Sequence, residues 1–318
     1  MNKIFSIAVI VFLLMGSYSG LVGSRENLNG MVSSTCNFEN TYISTFLGGS
    51  YNDGDFYKGS KVASYNDMII VAGTTNSVDF PFTLDSYDNE LNGDADIFIA
   101  IFNEDLTNLI SSTALGGSYR DEVRDMKIDK NGDIYVVGST ESADFPITMN
   151  AYDSEYDSGT EMPYGSGDIF VAKFNNDLTT LISSTYLGGR GHDYANAIEI
   201  DEAGNVYITG STSSSNFPVT DNAYSKNLHN GGVWGDDIFV SKFNSDLTNL
   251  LASTFLGGSG DDYSEQIEIN NNGDVIIGGW TSSTDFPTLE SSYDSVFNGG
   301  IFDGIISIFD EDALFQPQ

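Results

Sequence analysis

Four times along this chain the same landmarks return in the same order. Leu-Gly-Gly stands at residues 47–49, 115–117, 187–189 and 256–258. Phe-Pro follows at Phe80-Pro81, Phe145-Pro146, Phe217-Pro218 and Phe286-Pro287. Asp-Ile-Phe then opens at Asp96, Asp168 and Asp237, with Asp-Gly-Ile at Asp303 as the fourth copy. Successive copies are 65 to 72 residues apart, and the length differences fall in polar stretches. A fixed period of this kind marks a supersecondary unit that buries its apolar surface against its neighbours.

Within a unit the apolar period is two. In the third, ANAIEID alternates, EAGN turns, NVYITG alternates again, and a long polar loop leads to DIFVSKFN. SDLTN turns the chain into LLASTFLG. Alternation, β-branched and aromatic residues, and Gly or Asn at the turns read as four antiparallel strands with no helix. The class is all-β, and four-stranded units in series predict the blades of a β-propeller. The fourth unit has its third strand, DGIISIFD, without a Leu-rich fourth after it, while a spare copy, TYISTFLGG, lies at 41–49. The expectation is therefore a four-bladed ring over 41–312, closed by the N-terminal strand completing the last blade, with a tail at 313–318. A capped solenoid, or a half-ring that pairs with another chain, is the alternative.

The first residues read as a targeting segment. MNKIF carries Lys3, an apolar run follows from Ile4 to Gly16, and small residues follow that. This is the plan of a secretory signal peptide, set at 1–24, with a linker at 25–40. The apolar run is short for a membrane span and no later stretch is long enough, so no membrane span is expected after signal removal. The expected location is secreted or cell-surface. Cys36 is the single cysteine, so no internal disulfide holds the fold. With 12 basic and 46 acidic residues the net charge is −34, which argues against nucleic acid, whose phosphates need clustered cations.

Residues 187–218 follow the pattern LGGxxxDxxxxIxxDxxGNVYITGxTxSxxFP, and DIFVSKF follows at 237–243. In these the chain resembles the SBBP family, the beta-propeller repeat of secreted bacterial and archaeal proteins. The resemblance spans nearly all of 41–311. It implies a propeller on exported or surface proteins and no particular chemistry. The first unit departs from the pattern, with three extra residues between Asp53 and Gly73 and no Gly-Asn turn.

In a propeller the loops joining strands two and three share a face with those joining successive blades. That face would carry two aspartate series: Asp53, Asp121, Asp193 and Asp262 after Leu-Gly-Gly, and Asp96, Asp168, Asp237 and Asp303 at the start of strand three. Oxygen ligands from Gly-rich loops suit calcium, which is the expected cofactor if there is one. The competing reading is that each carboxylate caps backbone N–H groups of its own turn. The Gly pairs read as sharp strand exits, since no Lys or helix start follows them as in a phosphate loop. The four Phe of the Phe-Pro pairs read as plugs between blades.

Two histidines, no GxSxG elbow and a cysteine with no adjacent base leave little for catalysis. The long loops at 84–94, 151–167, 224–236 and 291–302 are the better candidates, with Tyr156, Tyr164, Lys226, His229 and Trp234 placed either to bind a ligand or to cover the end of the ring core. Tyr152 shares the second of these loops. The function expected is a non-catalytic extracellular or cell-surface binding or structural module, its loop-rich face turned to a protein or polysaccharide. The rival is an extracellular glycan hydrolase or lyase using two carboxylates.

Overall fold

The computed structural model describes residues 43–54, 59–157, 167–229, 232 and 235–310. The expected signal peptide, the linker and the C-terminal tail lie outside the described residues, as do Tyr164 and Trp234. Among the described residues there is no helix; the chain runs through fifteen strands in four antiparallel sheets. The first sheet is β1 (Lys61–Tyr65), β2 (Met68–Thr75), β3 (Asp96–Asn103) and β4 (Leu109–Leu115). The second is β5 (Asp121–Ile128), β6 (Ile134–Thr140), β7 (Asp168–Phe174) and β8 (Leu181–Leu187). The third is β9 (Asp193–Ile200), β10 (Val206–Thr212), β11 (Asp237–Phe243) and β12 (Leu250–Leu256). The fourth holds β13 (Asp262–Ile269), β14 (Val275–Thr281) and β15 (Asp303–Phe309).

Each sheet is a plain meander in which neighbours in sequence are neighbours in space. That is what short turns between alternating strands produce. The side-chain period of two then gives every sheet two apolar faces, and each internal face lies against the adjacent sheet. In the third sheet Val206, Ile208, Phe239 and Phe243 pack with Tyr135, Val137 and Val171 of the second. Tyr207, Ile238 and Val240 face the other way, onto Val275, Ile277 and Phe309 of the fourth. The first strands approach one another along the series: Asp125 on β5 accepts the Ile198 N–H of β9 at 3.0 Å, and Asn196 on β9 donates to the Ser264 carbonyl of β13 at 2.8 Å.

Phe145, Phe217 and Phe286 of the Phe-Pro pairs are plugs between sheets, as expected, whereas Phe80 packs only on its own, first sheet. Phe145 stacks on Phe170 at 4.6 Å within one sheet and packs among Ile97, Ile99 and Leu115 of the sheet before it. Phe80 and Phe98 pair likewise at 4.5 Å.

A further plug comes from the turn between strands three and four. Leu178 and Leu247 adopt left-handed backbone angles, φ 62° and 55°, and both are fully buried. Their carbonyls accept the N–H of Tyr87 and Tyr152, at 2.8 and 3.0 Å, from the long loop of the preceding sheet. Those tyrosines, with Tyr224, stand edge-on to Phe174, Phe243 and Phe309 at 5.5, 5.5 and 5.8 Å.

The expected closure is not found. Residues 43–47 form no strand, Phe46 is fully exposed, and β15 is the edge of a three-stranded sheet. Ile306 and Ile308 on β15 are 81% and 64% exposed. Among the described residues the segment 43–47 therefore does not complete the last sheet. Leu47 packs against the first sheet beside Phe80 and Phe98.

Candidate functional site

Both aspartate series converge on the junctions between sheets. Every carboxylate of the first series accepts the N–H of the second Gly of its Leu-Gly-Gly: Gly49 to Asp53, Gly117 to Asp121, Gly189 to Asp193 and Gly258 to Asp262, at 2.7, 2.7, 2.8 and 2.8 Å. A serine three residues before each Phe donates its hydroxyl to the same carboxylate: Ser77, Ser142, Ser214 and Ser283. That hydroxyl oxygen in turn accepts a loop N–H, from Tyr51, Tyr119, Gly191 and Gly260. Asp79, Asp144, Asn216 and Asp285, just before each Phe, accept a further N–H, from Ser50, Ser118, Arg190 and Ser259. The LGG-to-SxDFP grammar of the repeat, SxNFP in the third unit, is therefore one hydrogen-bonded latch, built four times.

The second series caps the long loops. Asp96 accepts the N–H of Asn92, Asp168 that of Asp157, Asp237 that of His229 and Asp303 that of Asn298, at 2.7, 2.8, 2.8 and 2.5 Å. Their other oxygen explains the first Gly of each pair. A Cβ on Gly116 would lie 2.5 Å from Asp96 Oδ1 and 2.9 Å from Asp121 Oδ2. On Gly188 it would lie 2.6 Å from Asp168 Oδ1 and 3.2 Å from Asp193 Oδ2, and on Gly257 it would meet Asp237 and Asp262. Only a residue without Cβ lets two carboxylates close on the strand exit from either side. The structure thus brings the two series together as three pairs: 96 with 121, 168 with 193, and 237 with 262. At Gly48 the nearest atoms all belong to Asp53, and Asp303 has no such glycine among the described residues.

Crowding acids away from water favours their neutral form. Burial, with the paired carboxylate's charge adding to it, pushes Asp96 up to about 7, Asp168 up to about 8 and Asp237 up to about 7. Asp193 is pushed up to about 6 by burial, against the hydrogen bonds of Thr212, Ser214 and Gly189. Asp121 and Asp262 are raised by burial as well. In contrast the exposed caps Asp79 and Asp144 are lowered by the Ser50 and Ser118 bonds.

Among the described residues no three His, Cys, Asp or Glu side chains converge to hold a metal ion. The pairs behave as turn caps, with one oxygen of each member on a backbone N–H. Tyr156, expected as a ligand contact, is half-buried and packs on Tyr186 at 5.7 Å. Tyr152 is a plug on Phe243. Lys226 and His229 do reach the surface, each about half exposed, with Lys226 3.4 Å from Asp221 and His229 Nδ1 3.4 Å from Asp237. His229 lines a recess of about 320 Å³ with Tyr224, Gly258, Asp285 and Pro287, where the third and fourth sheets meet. The plugging leucines were not foreseen; their signal is the recurring Asp-Leu-Thr at 105–107, 177–179 and 246–248.

Serially stacked antiparallel sheets latched at every junction define a module built from propeller-type repeats. In particular, the chain carries the SBBP beta-propeller repeat, whose model matches residues 112–146 and 184–218. No curated protein matches the sequence. Among solved structures, the crystal structure of a thermostable family-43 glycoside hydrolase aligns with a TM-score of 0.38 and 11% identity, over 76% of this chain and 68% of that one. Xylan beta-1,4-xylosidase from Bacillus halodurans C-125 aligns with a TM-score of 0.38 and 10% identity, over 84% of this chain and 44% of that one. Similarity this distant says nothing of activity.

Proposed function

We propose that this chain is an exported, non-catalytic surface module that presents its long-loop face to a protein or polysaccharide. The observation that carries the reading is the state of the carboxylates. Glycan hydrolysis needs two acids facing a cleft that admits a sugar ring. Here the paired acids close on a glycine from both sides, and all six are at most 1% exposed. They hold loops in place rather than face a substrate. Among the described residues, Lys226, His229 and the recess beside Asp285 offer polar surface for recognition on that face.

The test is retention of the purified chain on cell-envelope fractions and immobilised polysaccharides, with and without chelator. Binding that weakens on His229→Ala or Lys226→Ala supports the reading. Release of reducing ends or unsaturated sugars from any polysaccharide overturns it in favour of an enzyme.

A further inference from the structure

The three internal junctions share four features, and each feature recurs as an unmatched half at the two ends of the series. The first is the outer strand. β3, β7 and β11 each pair with a fourth strand, whereas β15 has none among the described residues. The matching sequence, ISTFLGG, lies at 43–49 without a partner strand.

The second is the apolar face. Ile238 and Val240 of β11 are buried on the next sheet, while their counterparts on β15 leave Ile306 exposed. At the other end Phe80, Phe98 and Phe102 gather Ile69, Val71, Phe82 and Leu109, all only half-buried, on the face of the first sheet that no other sheet covers among the described residues.

The third is the tyrosine plug. Tyr87, Tyr152 and Tyr224 insert at a Phe of the following sheet, but Tyr293 is fully exposed. The corresponding receptor on the first sheet is Phe102, with Leu106 at φ 54° ready to present its carbonyl. The fourth is the carboxylate pair. Asp303 has the aspartate without the glycine, and Gly48 with Asp53 has the glycine without the second aspartate.

We propose that chains associate head to tail, the β13–β15 sheet of one copy receiving the first sheet of a second copy, with residues 43–47 of that copy becoming the fourth strand beside β15. The contact continues an interface the chain already makes three times within itself. An exposed apolar strand edge is a template for such pairing. Each copy's own segment is held on its first sheet by Leu47 and by the Gly49-to-Asp53 bond, so it is delivered to a neighbour together with that sheet. A heterologous contact repeats until a ring of copies closes or a filament grows.

The register follows from β11 and β12, where Ser241 lies opposite Ser253 with their hydroxyls 2.9 Å apart. The equivalents are Ser307 and Ser44. In a Cys36→Ser background, Ser44→Cys and Ser307→Cys chains are purified separately, mixed and oxidised. The expected product is a reducible two-chain species in the mixture and in neither variant alone. Light scattering of the unmutated chain should give at least twice the mass of one chain, and Ile306→Lys or Tyr293→Ala should return it to one. A single-chain mass for the unmutated protein with no cross-link in the mixture overturns the proposal. So does a chain carrying both cysteines that cross-links only within itself, since that is ring closure. Folding of each variant is checked by its β-sheet circular dichroism, and the scattering of the unmutated chain decides should a variant fail to fold.

Discussion

Asp168 Oδ1 occupies the space a side chain on Gly188 would need: a Cβ there would sit 2.6 Å from it. The first Gly of each Leu-Gly-Gly is thus a gap kept open for two acids. Gly188→Ala should lower stability by about 1–3 kcal/mol, the usual cost of overpacking. Gly278→Ala, on a strand position with nothing within 4 Å of the new methyl, should be neutral or slightly stabilising. Urea unfolding of both variants checks the contrast.

The paired acids set the pH dependence. A carboxyl ionises near 3.9 in an unfolded chain. Asp193, Asp96, Asp237 and Asp168 are raised to between about 6 and about 8 in the fold. The folded state then holds more protons than the unfolded state between those values, so stability falls as pH rises. Their contribution is complete below pH of about 4 and is lost on passing through 6 to 8. The exposed caps Asp79, Asp144 and Asp285 are lowered and act oppositely, losing their contribution as pH falls through the acid range. The melting temperature should therefore peak in the mildly acidic range and decline toward pH 9. Asp168→Asn should flatten that decline. Melts in moderate salt, which screens the −34 net charge, isolate the effect.

The latch serine works in both directions. Ser142 donates to Asp121 at 3.0 Å and accepts the Tyr119 N–H at 2.9 Å. Ser142→Ala leaves a buried carboxylate and an N–H each short of a partner, so the expected loss is about 1–3 kcal/mol. Ser142→Thr, which keeps the hydroxyl, should lose less. Thermal melts of both variants at one pH decide the matter.

The turn leucines should behave as core. Leu178 is 0% exposed within the apolar cluster shared by the first two sheets. Leu178→Ala should cost about 2–5 kcal/mol, as for other buried leucines cut back to a methyl. Leu106 occupies the same place in the first sheet, on the cluster beside the uncovered face, and Leu106→Ala should cost less. Denaturant midpoints for the pair give the comparison.

Several of these roles were readable from residue order. The strands, the Phe plugs and the capping aspartates are local or repeated, and four aligned copies reveal which positions recur. Other roles were not readable. Tyr152 and Tyr156 look like ligand contacts in a loop rich in Gly and acids, yet both pack on aromatic rings, because burial depends on the sheet that arrives beside the loop. Tyr293 has the same local setting as Tyr87 and is exposed because no sheet follows it among the described residues.

By itself the sequence determined the all-β class, the four-unit series and the strands within each unit, since these follow from a period of two and from turns closed over a few residues. Only the tertiary structure decided how the series ends. It left residues 43–47 outside any strand, β15 without a fourth strand beside it, and Ile306 and Phe46 exposed. A spare strand and an empty edge match one another in pattern wherever they lie. Whether they meet depends on the angle accumulated from sheet to sheet, a sum over every junction that no single stretch of residues encodes.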